Sequence, residues 1–310
     1  MIQGSPRMEE CNMLTSKTYK NEFYNAMRKH KTNDATLSEG YDSGSRSYEF
    51  PSSTDSEYTA ALSHENLFRR LASVFQAPTT EGTIQMIAST ANAAIVDESS
   101  AYPEDNDTFD KAAFNAYKVA AISKLGNTFV EDSHFDIEKY LTNEFARRFG
   151  RAEEDVLLNG SGIKEPTGLL TTADIGVESE LTINYDDIIA LFFATKPEYR
   201  RNGVWLMNDD TALILRKLKD SDGNYLWNQA TDTILGKPVA ISNYMPNIAS
   251  GNTPIAFGDL SYYWMLERQP LFVKVLSELY ARENRTGYAA FERIDGKLIR
   301  TEAVKLLKVK

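Results

Sequence analysis

The residues able to do chemistry are few and scattered. The three histidines, His30, His64 and His134, lie in separate segments, and none falls in an HExxH or comparable ligand spacing. Cys11 is the sole cysteine, which excludes an intrachain disulfide and a cysteine metal cluster and fits a reducing compartment. There is no glycine-rich phosphate loop ending in Lys-Ser or Lys-Thr, and no GxSxG nucleophile elbow. Gly160-Ser161-Gly162 carries two glycines of a dinucleotide fingerprint, but it follows a helical pattern rather than a strand. Glu153, Glu154 and Asp155 stand together near the end of that pattern, where acids oppose the helix dipole. The expectation there is an exposed acidic face, not a catalytic carboxylate cluster. No catalytic residue, cofactor or metal is expected.

Charge is more informative than any motif. Residues 95–110 hold six acids, Asp97, Glu98, Glu104, Asp105, Asp107 and Asp110, without a Lys or Arg. Residues 271–310 hold nine bases and five acids. An acidic projection and a basic strand region in one chain suit head-to-tail contact between copies.

The elements that would carry these charges are read from periodicity. Tyr19, Phe23 and Met27, with Ala26 beside them, mark a short amphipathic helix over 16–31. A polar stretch punctuated by Gly40, Gly44 and Pro51 follows, so residues 1–56 read as an arm and a compact body is expected from about Glu57. Alternation at Ile84, Met86 and Ala88, and the run from Phe114 to Leu125, predict two extended arms flanking the acidic turn. Ile137, Leu141, Phe145 and Phe149 predict a long helix from about Phe135 to Leu158, capped by Asp132 or Ser133 and stopped at Asn159-Gly160. Residues 160–180 read as loop. A helix from Tyr185 to Lys196, a buried strand at 203–208, a helix capped by Asp209-Asp210-Thr211 and further strands follow, with Asp295-Gly296 as a turn. Helices and strands interleave without a βαβ rhythm, so the fold class is α+β.

The chain of 310 residues is 42% hydrophobic and 25% charged, enough apolar material for a large core. Its net charge of -10 excludes a generally basic nucleic-acid binder. No apolar run is long enough to span a membrane, and the N-terminus does not read as a secretory signal.

One segment is specific. NEFARRFGRAEEDVLLNGSGIKEPTGLL (143–170) resembles the helix-to-loop segment of the major capsid proteins of tailed bacteriophages, through Glu153-Glu154-Asp155, Gly160, Gly162, Pro166 and Gly168. VWLMNDDTALILRKLKDSDGNYLW (204–227), LGKPVAISNYMP (235–246), IAFGDLSYYWMLER (255–268), residues 95–121 and YKNEFYNAM (19–27) resemble further landmarks of that family in order. The resemblance implies the phage shell fold: an N-terminal arm (1–56), a peripheral domain beginning at 57–81, an extended hairpin loop (82–121), the peripheral domain with its spine helix (122–184), an axial domain (185–265) and peripheral C-terminal strands (266–310). It implies a structural protein whose copies form hexamers and pentamers of an icosahedral virion shell, assembled in the host cytoplasm. Implied partners are other copies, a scaffolding protein, a portal and a maturation protease, with DNA as non-specific contents. A nanocompartment shell of the same fold is the alternative, and a soluble enzyme a remote one. Asp97, Glu98, Tyr102, Glu104, Asp105 and Asp107 are expected at the intersubunit tip of the hairpin. Some relatives seal their shells with a Lys–Asn bond from that tip; here no Lys lies between Asn92 and Asp110, so no such bond is expected.

Overall fold

The structure is a computed structural model, which describes residues 17–28, 47–49, 51–76, 81–89, 108–132, 134–219, 225, 227 and 232–310. In chain order the elements are α1 (Lys17–Met27), β1 (Ser47–Glu49), α2 (Ser52–Glu65), α3 (Phe68–Leu71), β2 (Ser73–Gln76), β3 (Glu81–Ser89), β4 (Thr108–Asn115), β5 (Tyr117–Gly126), α4 (Asn127–Glu131) and α5, the spine helix (Ile137–Asn159). They continue with α6 (Leu169–Thr172), β6 (Asp174–Ser179), α7 (Tyr185–Ala194), α8 (Pro197–Arg200), β7 (Val204–Met207), α9 (Asp209–Arg216), β8 (Thr233–Ile234), β9 (Lys237–Ile241), β10 (Ile255–Gly258), β11 (Tyr263–Leu276), β12 (Arg285–Leu298) and β13 (Val304–Val309). Two sheets result. The first has the order β1-β11-β12-β5 with β2 added parallel to β11; the second has the order β6-β13-β10-β7-β9-β8. β3 and β4 form a separate antiparallel hairpin.

The spine helix forms because its apolar residues recur every three to four positions. Ile137, Leu141, Phe145, Ala146, Phe149, Leu157 and Leu158 make one buried stripe. Its first half packs in a cluster with Val273, Tyr288 and Ala290 from the first sheet, and with Tyr58 and Leu62 from α2. α2 crosses closely at Gly150, where a Cβ would stand 2.8 Å from Glu65 Cβ. The N-cap is Asp136, whose Oδ1 accepts from Lys139 N at 3.0 Å. The expected cap at Asp132 is displaced because the short helix α4 ends there; Ser133 lies outside the described residues.

Several expectations are corrected. The body does not begin near Glu57: Tyr19, Phe23 and Met27 on α1 are buried in the same cluster as Phe145, and Tyr288 Oη donates to Met27 O at 2.7 Å. Three residues at i, i+4 and i+8 form an apolar stripe that needs a partner, which the core provides. The stretch 160–180 contains strand β6, held by parallel pairing to β13 rather than by any local pattern. α9 is capped by Asn208, whose Oδ1 accepts from Thr211 N at 2.7 Å. Asp295-Gly296 is no turn: β12 runs straight through it, and Gly296 pairs with Met265. A Cβ there would lie 2.4 Å from Leu157 Cδ2 and 2.5 Å from Tyr263 Oη, so a larger residue would have to displace those side chains. The division at residue 266 also fails at the C-terminal side. β13 sits inside the second sheet, between β6 and β10, where Val304, Leu306, Leu307 and Val309 are all buried.

Candidate assembly surfaces

Among the described residues, the hairpin is anchored at its base. Ala112 and Phe114 of β4 are buried against Leu266, with Ile84, Trp264 and Ile299 packed around them. Asn115 N donates to Asp295 Oδ2 at 2.7 Å. Burial pushes the Asp295 carboxyl up to about 6, although the backbone N–H groups of Asn115 and Gly296 oppose the shift. The acidic tip residues Asp97, Glu98, Tyr102, Glu104, Asp105 and Asp107 lie outside the described residues. Lys111 lies on the returning strand β4, exposed.

Beside the hairpin base, one face of the first sheet is basic and apolar. Register places Lys118 opposite Arg293, Ala120 opposite Phe291, Ile122 opposite Ala289, and Lys124 opposite Gly287. On β11 the same rows continue with Phe272 and Lys274. Opposed residues in a sheet share a face, so these side chains form one surface. Lys118 Nζ lies 4.3 Å from the centroid of Phe291, which stacks on Phe272, and Lys124 Nζ lies 4.1 Å from that of Tyr280. Ile122 is 42% exposed. No acid stands in these rows of β5, β12 and β11; Glu49 on β1 is in register with Phe272.

The motif glycines stitch the spine helix to the first sheet. Gly168 N donates to Gly160 O at 2.9 Å, Thr167 N to Gly296 O at 3.1 Å, and Tyr263 Oη to Thr167 O at 2.8 Å. A Cβ on Gly160 would meet Pro166 O at 2.3 Å, and one on Gly168 would meet Gly160 N at 2.5 Å. Gly162 has φ 77°, a left-handed conformation that favours glycine. Glu165 Oε1 accepts from Ser161 N and Oγ, which holds its carboxyl below the usual range. The loop is thus a structural joint, with Ile163 exposed at its tip.

Glu153 and Glu154 overturn the expectation of an exposed acidic face: both are buried. Arg69 explains Glu153. Its Nε and Nη2 grip the two carboxylate oxygens at 2.9 and 2.5 Å, and its Nη1 reaches Glu267 Oε2 at 3.4 Å. Asn66 Nδ2 donates to Glu153 Oε2 at 2.7 Å. Glu154 accepts from Leu67 N at 3.1 Å and from Ser242 Oγ. These contacts fasten the α2–α3 junction, the spine helix and the loop after β9 to one another.

Sequence reasoning missed the apolar residues left outside. Phe129 on α4 and Leu279 between β11 and β12 are 54% and 68% exposed at one end of the first sheet, where Asn127 N donates to Asn284 O. On α9, Leu213 and Ile214 are exposed while Ala212 and Leu215 are buried. Two apolar residues off the buried stripe were the available signal. The loop 247–253 is pinned to β13, with Gly251 N donating to Val309 O at 2.9 Å. Most of loop 220–225 lies outside the described residues. Among the described residues, no helix is long and apolar enough to cross a membrane.

A mixed fold of two sheets braced by one long helix, with an anchored hairpin, is the architecture of a shell-forming subunit. The profile of the phage capsid family matches residues 47–309, and the chain belongs to that family. The capsid of an empty GTA (gene transfer agent) particle, computed with C5 symmetry, is 30% identical over 79% of this chain and 90% of its own, with a TM-score of 0.69. Chains from Microbacterium phage Oxtober96 and Mycobacterium phage Cain share the fold, with TM-scores of 0.59 and 0.57. They are 18% and 16% identical, over 79% and 81% of this chain and 91% and 90% of theirs. No curated protein sequence matches the chain. The protein is a structural capsid shell protein and a virion component that self-assembles. These relatives favour a viral shell over a nanocompartment.

Proposed function

We propose that this chain is the major subunit of an icosahedral shell, in which copies join as hexamers and pentamers around packaged DNA. The acidic hairpin tip of one copy lies on the basic sheet face of its neighbour. What supports this reading is the presence in one chain of a hairpin packed at its base through Ala112 and Phe114 and of a sheet face bearing Lys118, Lys124, Lys274 and Arg293. Residues 185–265, with β6 and β13 added, form the axial unit; Leu213, Ile214 and the loops 220–225 and 247–253 meet their copies at the ring centre. Such contacts repeat by rotation, so the interface is heterologous and closes into a ring. Scaffolding protein, portal and maturation protease are the partners of assembly, which takes place in the host cytoplasm.

One exposed ion pair contributes only about 0.2–1 kcal/mol, so assembly needs the whole network. Reversing Glu98, Glu104 and Asp105 together is expected to abolish shells in electron micrographs while the circular dichroism of the chain stays native. Normal shells from that variant would refute the docking of the tip.

The shell is held without covalent cross-links between Lys and Asn. The reactive amine would have to come from the hairpin tip in neutral form, and the tip has no Lys. Shells boiled in detergent should run as one band at the monomer mass. A ladder of multimers would assign the reaction to another lysine, Lys111 first.

A further inference from the structure

The centre of the molecule holds more acid than base. Glu292 on β12 and Glu153 on the spine helix are both fully buried, and they lie within hydrogen-bonding reach of each other. Arg69 is the cation beside them, and its two-pronged grip is spent on Glu153, with its remaining nitrogen turned to Glu267 on β11. From α2, Tyr58 Oη donates to Glu292 Oε2 at 3.3 Å. The neighbour of Glu292 on β5 is Val119, which offers nothing polar. Glu292 Oε1 therefore has no donor facing it. An ionised Glu292 would put an uncompensated charge next to Glu153 where both side chains are fully buried, whereas a protonated Glu292 turns that orphan acceptor into a donor to Glu153.

We propose that Glu292 is a proton-operated latch: it stays a neutral acid in the folded chain, donates its hydrogen bond to Glu153, and thereby ties the central strand of the first sheet to the spine helix. Deprotonation breaks the bond and sets two carboxylates against each other at the junction of α2, α3, the spine helix, β11 and β12. The shift of Glu292 agrees in direction: burial first, and then Glu153, raise it well above 4.5, while Arg69 works against them. A group whose folded value is raised binds its proton more tightly when folded. Its contribution to stability is full below the unfolded value and is lost as pH rises through the folded one. The latch is thus closed in acid and opens toward alkaline pH. Asp295, raised to about 6, acts in the same direction.

The test follows the unfolding midpoint of the full chain over roughly pH 6.5 to 9, above the Asp295 titration. The wild-type midpoint is expected to fall across this range. Glu292→Gln, which keeps the shape and the donor but cannot ionise, should match wild type at the acid end and stay flat. A Glu292→Gln midpoint that falls in parallel with wild type would overturn the latch, as would loss of stability at the acid end equal to that of Glu292→Ala. Infrared spectra of the wild-type protein give an answer should the variants not fold. A neutral carboxylic-acid carbonyl band that outlasts the Asp295 titration supports the proposal, and its absence above that pH refutes it.

Discussion

Phe145→Ala is expected to lower the unfolding free energy by about 3–5 kcal/mol, measured by urea denaturation of the unassembled chain. Phe145 is wholly buried midway along the spine helix, with its ring 6.3 Å from that of Phe149. The buried cluster it belongs to draws on four sources: Leu141 and Phe149 on its own helix, Leu62 on α2, Phe23 on α1, and Val273 and Tyr288 on the first sheet. Elements fixed by so many separate contacts cannot collapse into the space left by a ring, so the cavity remains and adds to the lost transfer energy. A loss below about 1 kcal/mol would mean that the helix does not face this core.

Arg69→Met is expected to cost a similar amount, about 3–5 kcal/mol, because it strands a buried charge rather than merely deleting a contact. Glu153 would keep the Asn66 bond but lose both guanidinium bonds, and Glu267 would lose its contact with the Arg69 guanidinium. Adding Glu153→Gln should restore part of the loss, since a neutral amide tolerates the site better than an unpaired carboxylate. A double variant no more stable than Arg69→Met would show that Arg69 acts through packing and not through charge.

What the sequence made legible was local. The spine helix was readable because Ile137, Leu141, Phe145 and Phe149 repeat at the helical period, and the hairpin arms because alternation survives in Ile84, Met86 and Ala88. The capsid resemblance rested on glycines whose backbones approach one another too closely for a side chain. What escaped was set by partners distant in the chain. Glu153 looks like a surface acid until Arg69, 84 residues earlier, is brought beside it. Gly296 looks like a turn until the spine helix is packed against it. β6 has no alternation of its own, and its pairing with β13 makes it a strand. The acidic segment was legible as charge between two extended arms, but the basic sheet face needed the sheet register, which brings Lys118, Arg293 and Lys274 to one face.

The place of β13 bears on how the chain reaches its folded state. It is inserted between β6 and β10, and its ion pair Lys305–Asp174 joins residues 131 apart. Until that strand arrives, β6 has no partner and β10 lacks one of its two. Two unpaired edges on an incomplete sheet are templates for the wrong strand, including one from another molecule. Such long loops must close before their contacts reward the closure, so refolding belongs on the slow, millisecond-to-second side of the contact-order relation. For a protein made in many copies at once, the delay sets a race between finishing the second sheet within one molecule and pairing its open edges between molecules.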